Sequence, residues 1–135
     1  HLDAWREVTA VEGFRIDVVE KSAAQGPSLF FLNLGGYKPG EFEEYHYKLL
    51  TVAGNLAEAT QKARKTAFYK HFGFKGATSH VDDKYGIDVD EAHRVQDILL
   101  PEFRDRYSIA LTAADDLPED ILHIGYVKID KLTKA

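Results

Sequence analysis

The chain has 135 residues, of which 44% are hydrophobic and 29% charged, and its formal net charge is −5. This length and composition are typical of one globular domain with a real core, and they argue against disorder. A mildly acidic chain has no general attraction for nucleic acid or anionic membranes, and no apolar run approaches the about 20 residues that span a bilayer. The chain contains no cysteine, which excludes disulfides and thiolate metal sites and fits a cytoplasmic location.

The start of the chain carries a motif that returns later. His1-Leu2-Asp3 recurs as His80-Val81-Asp82, and several apolar positions coincide at the same offset. This echo predicts a duplication. Residues 1–20 would be the last hairpin of a preceding repeat whose other part is missing, and residues 28–135 would form the following domain. The absence of methionine also suggests that the chain begins inside a longer protein.

The first predicted element is a hairpin. Residues 14–19 carry alternating apolar side chains, as in a strand, and Glu12-Gly13 is a suitable turn that pairs them with residues 5–11. Lys21 to Pro27 is polar and rich in small residues, which predicts a linker.

The next two predicted elements are strands. Residues 28–34 form a continuous apolar run, as expected of a strand buried on both faces, and Gly35-Gly36 is predicted to end it. Residues 45–53 alternate in character and favour a strand that returns against the first. The alternative is a helix that starts at Glu43, but Gly54-Asn55 interrupts that pattern.

A helix is predicted from residue 56 to residue 71. Asn55 and Glu58 have the spacing of a capping box, and Gly73 suits the position after the helix. One face carries mostly alanine, which predicts close packing on a sheet, and the opposite face is charged; the stripe is Leu56, Ala59, Thr60, Ala63 and Ala67.

The remaining patterns predict four more strands. Residues 80–88 and 93–99 read as a hairpin, and residues 107–113 and 121–129 read as two further strands that must extend the same sheet or join the first hairpin. The order from residue 28 to residue 99 is therefore β-β-α-β-β. We expect an α+β fold, in which one main amphipathic helix covers a mainly antiparallel sheet with extra strands.

Three motifs resemble a small bacterial family known as domain of unknown function fifteen-forty-three. They are a strand ending in Leu34-Gly35-Gly36, an acidic residue (Glu43 or Glu44) followed by His46, and the His80-Val81-Asp82 hairpin. The similarity covers most of residues 28–99 and the first nineteen residues. It implies one or two copies of the domain per chain, and it brings no established activity, cofactor or catalytic residue.

The strongest candidates for chemistry are His80 and Asp82. Two residues apart in a strand, they share one face and could ligate one metal or form a proton-transfer pair. His46 is a further catalytic candidate, and Glu44 a further metal-ligand candidate, if they lie nearby. The alternative is that His80 bonds Asp82 only to stabilise the hairpin.

A second group of candidates is acidic. These carboxylates could bind Mg²⁺ or Ca²⁺, although the EF-hand pattern is absent. The simpler interpretation is that they are solvated residues of a turn. The group comprises Asp82, Asp83, Asp88, Asp90 and Glu91.

Two functional hypotheses follow. The first is a non-enzymatic binding or assembly module that needs no cofactor and pairs strands or hairpins with a second copy as a homodimer. The alternative is a hydrolase that uses His80, Asp82 and His46, either with a divalent metal or by general acid–base catalysis.

Overall fold

The computed structural model describes residues 1–37, 40–71 and 88–132. Within these ranges the chain forms eight strands, three helices and one 3₁₀ turn at Val95–Ile98. In chain order the elements are β1 (Leu2–Trp5), β2 (Ala10–Val11), β3 (Phe14–Glu20), β4 (Ser28–Tyr37), β5 (Glu44–Ala53), α1 (Leu56–His71), β6 (Asp88–Arg94), α2 (Pro101–Arg106), β7 (Tyr107–Ala113), β8 (His123–Val127) and α3 (Ile129–Leu132).

The described strands form two antiparallel sheets and a ribbon. The first sheet has the order β5-β4-β6, the second sheet has the order β2-β3-β7, and β1 pairs with β8 in the two-stranded ribbon. The predicted α+β class with one main helix is confirmed. The two C-terminal strands join the N-terminal segment, as one of the two predicted arrangements requires: β7 pairs with β3, and β8 with β1.

Helix α1 packs on one face of the first sheet. Its contact residues Ala59 and Ala63 are fully buried, which confirms that the small side chains let the helix approach the strands closely. The predicted cap also forms, since the Glu58 N–H donates to Asn55 Oδ1 at 2.9 Å. The buried cluster between helix and sheet comprises Phe30, Leu32, Leu34, Ala53, Ala59 and Ala63.

The second sheet covers the opposite face of the first sheet, near the start of β4. Side chains from both sheets meet there in a second cluster, because Leu29 and its cross-strand partner Val52 point away from the helix. The buried members are Val11, Leu29 and Val52, and partly buried neighbours include Phe14, Ile16, Ile109 and Leu111. Further along β4, the same face carries Asn33 and Gly35.

The β2–β3 hairpin turns at Glu12-Gly13, as predicted. Both residues have positive φ, 49° at Glu12 and 78° at Gly13. Two consecutive positive φ angles are the signature of a type I′ turn, which matches the twist of the flanking strands. Glycine adopts this conformation without strain, whereas Glu12 is held there by the contacts of its carboxylate with β5 and α1.

Three boundary predictions are wrong. Gly35-Gly36 does not end β4, which continues to Tyr37, because both glycines are paired inside the sheet. Residues 93–99 are not a strand, since β6 ends at Arg94 and a 3₁₀ turn follows. Residue 5 does not belong to the first hairpin, because β1 pairs with β8.

Among the described helices, none combines the length and the apolar character needed to cross a bilayer.

Candidate metal centre

Strand β5 presents Glu44 and His46 on the face of the first sheet that points away from α1. Tyr47 and Leu49 pack against the helix-side core, so the alternating positions Glu44, His46 and Lys48 point to the other side. His46 lies directly opposite Gly35 on β4. The alternation that predicted this strand therefore also places its acid and imidazole on one face.

Strand β6 brings Asp90 to the same place through a β-bulge. Asn33 pairs with Glu91 and the next residue, Leu34, pairs with Val89, so Asp90 is the extra residue in β6. Val89 packs against the helix-side core, and the bulge leaves Asp90 on the opposite side of the sheet. Bulges commonly re-aim a side chain in this way.

Gly35 provides the space in which these side chains meet. A Cβ at this position would lie 2.8 Å from Asp90 Oδ2 and 2.9 Å from Glu44 Oε1. Both distances are shorter than real Cβ contacts, so any side chain at this position would push the two carboxylates away. Glycine is required here because the two carboxylates approach the backbone of β4 closely, and not because of its conformational freedom.

The three side chains form one group, which we call the triad. Asp90 Oδ2 lies 3.0 Å from His46 Nδ1, and Glu44 Oε2 lies 3.9 Å from His46 Nε2. One ligand atom of each residue can be chosen so that all lie within 4.8 Å of one another. The side chains are 34% to 46% exposed, so solvent and ions reach them.

The donor set fits a divalent cation. Ligand atoms around one Zn²⁺ or similar ion lie about 3–4 Å apart, because each bond is about 2.0–2.2 Å long. The triad atoms are close to this spacing, and a shift of about 1 Å by exposed side-chain tips would complete it. Carboxylate and imidazole are ordinary ligands of Zn²⁺, Fe²⁺ and Mn²⁺. Within the described residues, this is the one group of three His, Asp or Glu side chains close enough to hold an ion.

The sequence candidates fall into two classes. The structure brings His46 and Glu44 together, whereas His80 and Asp82 lie outside the described residues and stay predictions. The related pair is exposed: His1, just before β1, lies 3.0 Å from Asp3 in β1 of the ribbon.

The interpretation of the acidic group as solvated turn residues is wrong at positions 88, 90 and 91, which lie in β6. Sequence reasoning grouped Asp90 with its acidic neighbours and missed its partnership with His46. The Leu-Gly-Gly motif was a usable signal, since a glycine inside a strand can mark a close approach.

A second group of polar side chains lies at the other end of β5. The Glu12 carboxylate accepts hydrogen bonds from Thr51 Oγ1 (2.7 Å), the Val52 N–H (3.0 Å) and Lys62 Nζ (3.1 Å). Burial alone would raise the pKa of Glu12, but these hydrogen bonds and the Lys62 charge outweigh it and lower the pKa below its usual value. This group ties the hairpin to the first sheet and to α1.

Comparison of the chain with protein-family models, with curated proteins and with solved structures gives no match. The resemblance based on the Leu-Gly-Gly and His-x-Asp motifs therefore stays a prediction, and the function is argued from the geometry alone.

Proposed function

We propose that the chain is a binding module that holds one divalent transition-metal ion at Glu44, His46 and Asp90. The observation that carries this proposal is the convergence of the three side chains over Gly35, where a Cβ would fill the space. Three strands contribute to the arrangement, so β5, β4 and β6 must be in register for it to exist.

The charge of the triad supports a cation. Two carboxylates and an imidazole converge, and no lysine or arginine forms an ion pair with them among the described residues. The neutral imidazole with two carboxylates carries a formal charge of about −2, which a divalent ion neutralises. Such a site binds metal more weakly in acid, because protons compete for the ligands.

The test is metal binding by isothermal titration calorimetry and by thermal unfolding, with Zn²⁺ and Mn²⁺ each added alone. A ligand present at 100 times its dissociation constant stabilises the native state by about 2.7 kcal/mol, which raises the melting temperature measurably. Replacing an outer-shell partner of a metal ligand typically costs about 10–100-fold in affinity, so His46→Ala should cost at least about 100-fold.

His93→Ala is the matched control. His93 is an exposed histidine on β6, outside the triad, and lies opposite Phe31. It should leave both the affinity and the metal-induced shift unchanged. If the wild-type chain binds neither ion, or if both variants lose affinity equally, the proposed site is wrong.

The ribbon of β1 and β8 favours a second function, assembly with another copy of the chain. Among the described strands, these two pair only with each other. A two-stranded ribbon is marginal on its own, and its free edges offer backbone groups to another strand. Large apolar side chains on it are exposed, by 37% at Leu2, 44% at Trp5, 82% at Ile124 and 83% at Tyr126.

A second copy is the partner that fits this ribbon. Asp3 and Arg6 lie on either side of Ala4 and Trp5 in the sequence. If this segment pairs with the same segment of a second copy about a two-fold axis between Ala4 and Trp5, Asp3 of each copy lies opposite Arg6 of the other. We expect a dimer by light scattering, and monomers for the double variant Ile124→Lys, Tyr126→Lys. Val18→Lys is the control, because Val18 is 70% exposed on β3, outside the ribbon. A wild-type monomer would rule this assembly out.

A further inference from the structure

The side chain of Asn33 carries a buried oxygen without a hydrogen-bond donor among the described residues. Its Oδ1 atom is buried and accepts no hydrogen bond among the described residues. Buried polar atoms are nearly always satisfied, since an unpaired acceptor has lost its water and gained nothing in return. An amide oxygen in this position calls for an N–H or O–H donor or for a cation.

The register of the sheet places Asn33 beside the triad. Asn33 and Gly35 point to the same face of β4, about 7 Å apart along the strand. On the β6 side, Asn33 pairs with Glu91. The bulged residue Asp90 is the neighbour of Glu91 in β6 and therefore lies close to the level of Asn33. Gly35 is the next residue of β4 on this face after Asn33, and the space above it is occupied by the triad carboxylates of Asp90 and Glu44.

We propose that Asn33 Oδ1 is the fourth protein ligand of the metal site, and that it contributes more to the binding of a Mn²⁺-type ion than to the binding of Zn²⁺. This inference rests on the proposed metal-binding function. It explains both the unpaired buried acceptor and the bulge, which brings Asp90 to the level of Asn33.

The composition of the donor set indicates which ion depends more on Asn33. With Asn33 the set has three oxygen donors and one nitrogen donor. Imidazole is an ordinary ligand of zinc and other later transition metals, whereas carboxylate and carbonyl oxygens suit Mg²⁺, Ca²⁺ and Mn²⁺. Mn²⁺ combines a preference for oxygen with octahedral coordination, and the exposed triad leaves room for water at the remaining positions. Zn²⁺ needs only four ligands and depends less on an added amide oxygen.

The experiment measures Mn²⁺ and Zn²⁺ affinities separately for the wild-type chain, Asn33→Ala, Asn33→Asp and Lys48→Ala. Calorimetry gives the affinities, and the electron paramagnetic resonance signal of free Mn²⁺ counts the bound ion independently. Asn33→Ala should weaken Mn²⁺ binding at least about 10-fold and Zn²⁺ binding much less. Asn33→Asp keeps an oxygen donor and should retain Mn²⁺ affinity.

Lys48→Ala is the matched control, because Lys48 pairs with Asn33 across β4 and β5 and is not a metal ligand. It should leave both affinities unchanged. A loss in Lys48→Ala equal to that in Asn33→Ala would show a general disturbance of the face and overturn the inference.

The stability of the metal-free protein separates a ligand from a structural side chain. Without metal the Asn33 oxygen has no hydrogen-bond partner among the described residues, so Asn33→Ala should leave the melting temperature unchanged or raise it. A lowered melting temperature would show that the amide stabilises the fold instead. If wild-type and Asn33→Ala chains bind Mn²⁺ equally, this inference fails and the proposed function stands. If the wild-type chain binds neither ion, both fail.

Discussion

Each end of β5 lies in a group of polar side chains that contains at least one carboxylate, and the two groups differ in how the negative charge is balanced. At one end the Glu12 carboxylate has three donors within 3.1 Å, and one of them is the cation Lys62. At the other end, the one ion-pair partner of Glu44 and Asp90 within the described ranges is the imidazole of His46. In the first group, folding supplies the carboxylate with both hydrogen-bond donors and a positive charge. In the second group, folding brings two carboxylates together without a lysine or arginine partner among the described residues.

This difference indicates how each group contributes to the molecule. A carboxylate that accepts hydrogen bonds from a strand and from a helix stabilises their packing. Carboxylates brought together over a glycine repel each other, which costs stability unless a cation binds. We therefore expect substitutions at the Glu12 group to change folding and substitutions at the triad to change metal affinity.

The largest effect that would separate the two groups is expected from Gly35→Ala. The new Cβ would displace the tips of Asp90 and Glu44, which are flexible, so the metal-free stability should change by less than about 1 kcal/mol. The ligand geometry would be lost, and the metal affinity should fall at least about 10-fold in calorimetry. Lys48→Ala, on the same face, serves again as the control.

Unchanged metal affinity in Gly35→Ala would mean that the space above Gly35 is not the metal position. A large loss of metal-free stability would instead assign Gly35 to the packing of the sheet.

Much of this architecture could be predicted from the sequence, because local patterns determine it. Three features each follow from a short stretch of sequence: the Glu12-Gly13 turn, the alternation along β5 and the alanine stripe of α1. The sequence also predicts the strand at residues 28–34, but the predicted end at Gly35-Gly36 is wrong. A glycine pair usually signals a turn, and pairing between distant segments keeps β4 extended, with β6 as far as Gly35 and with β5 as far as Tyr37.

The triad was only half visible in the sequence. Glu44 and His46 are two residues apart, so any strand puts them on one face. Asp90 joins them only through the bulge against β4, and that register depends on pairing between segments more than 50 residues apart. The acidic β6 was interpreted as turn, since an edge strand with one solvated face can carry many charges.

The next effect in size is expected from Glu12→Gln. The amide keeps the shape but loses the charge that attracts Lys62 and strengthens the bonds from Thr51 and Val52. Solvent weakens these interactions, because Glu12 is 41% exposed. We therefore expect the free energy of unfolding, measured with urea, to fall by only about 1–3 kcal/mol. Metal affinity should not change, since Thr51 and His46 are about 17 Å apart along β5.

Glu20→Gln is the control for that substitution, because Glu20 is an exposed acid at the far end of β3. If both substitutions cost the same free energy, the Glu12 contacts have no special role. If Glu12→Gln weakens metal binding, the two groups are coupled and the contrast between them is lost.

The smallest effect is the pH dependence of the Glu12 contribution. The pKa of Glu12 in the folded chain lies below its usual value of 4.5, because the hydrogen bonds outweigh burial. Its contribution is therefore fully present above the unfolded pKa and disappears as pH falls through the folded pKa. The free energies of unfolding of the wild-type chain and Glu12→Gln should differ by a constant amount above the unfolded pKa of Glu12 and converge as pH falls through its lowered folded pKa. Asp120, whose pKa is also lowered by hydrogen bonds from Thr9 and Ala10, contributes equally to both proteins and cancels in the difference. A difference that persists unchanged at the lowest pH would assign the stabilisation to the shape of the side chain and not to its charge.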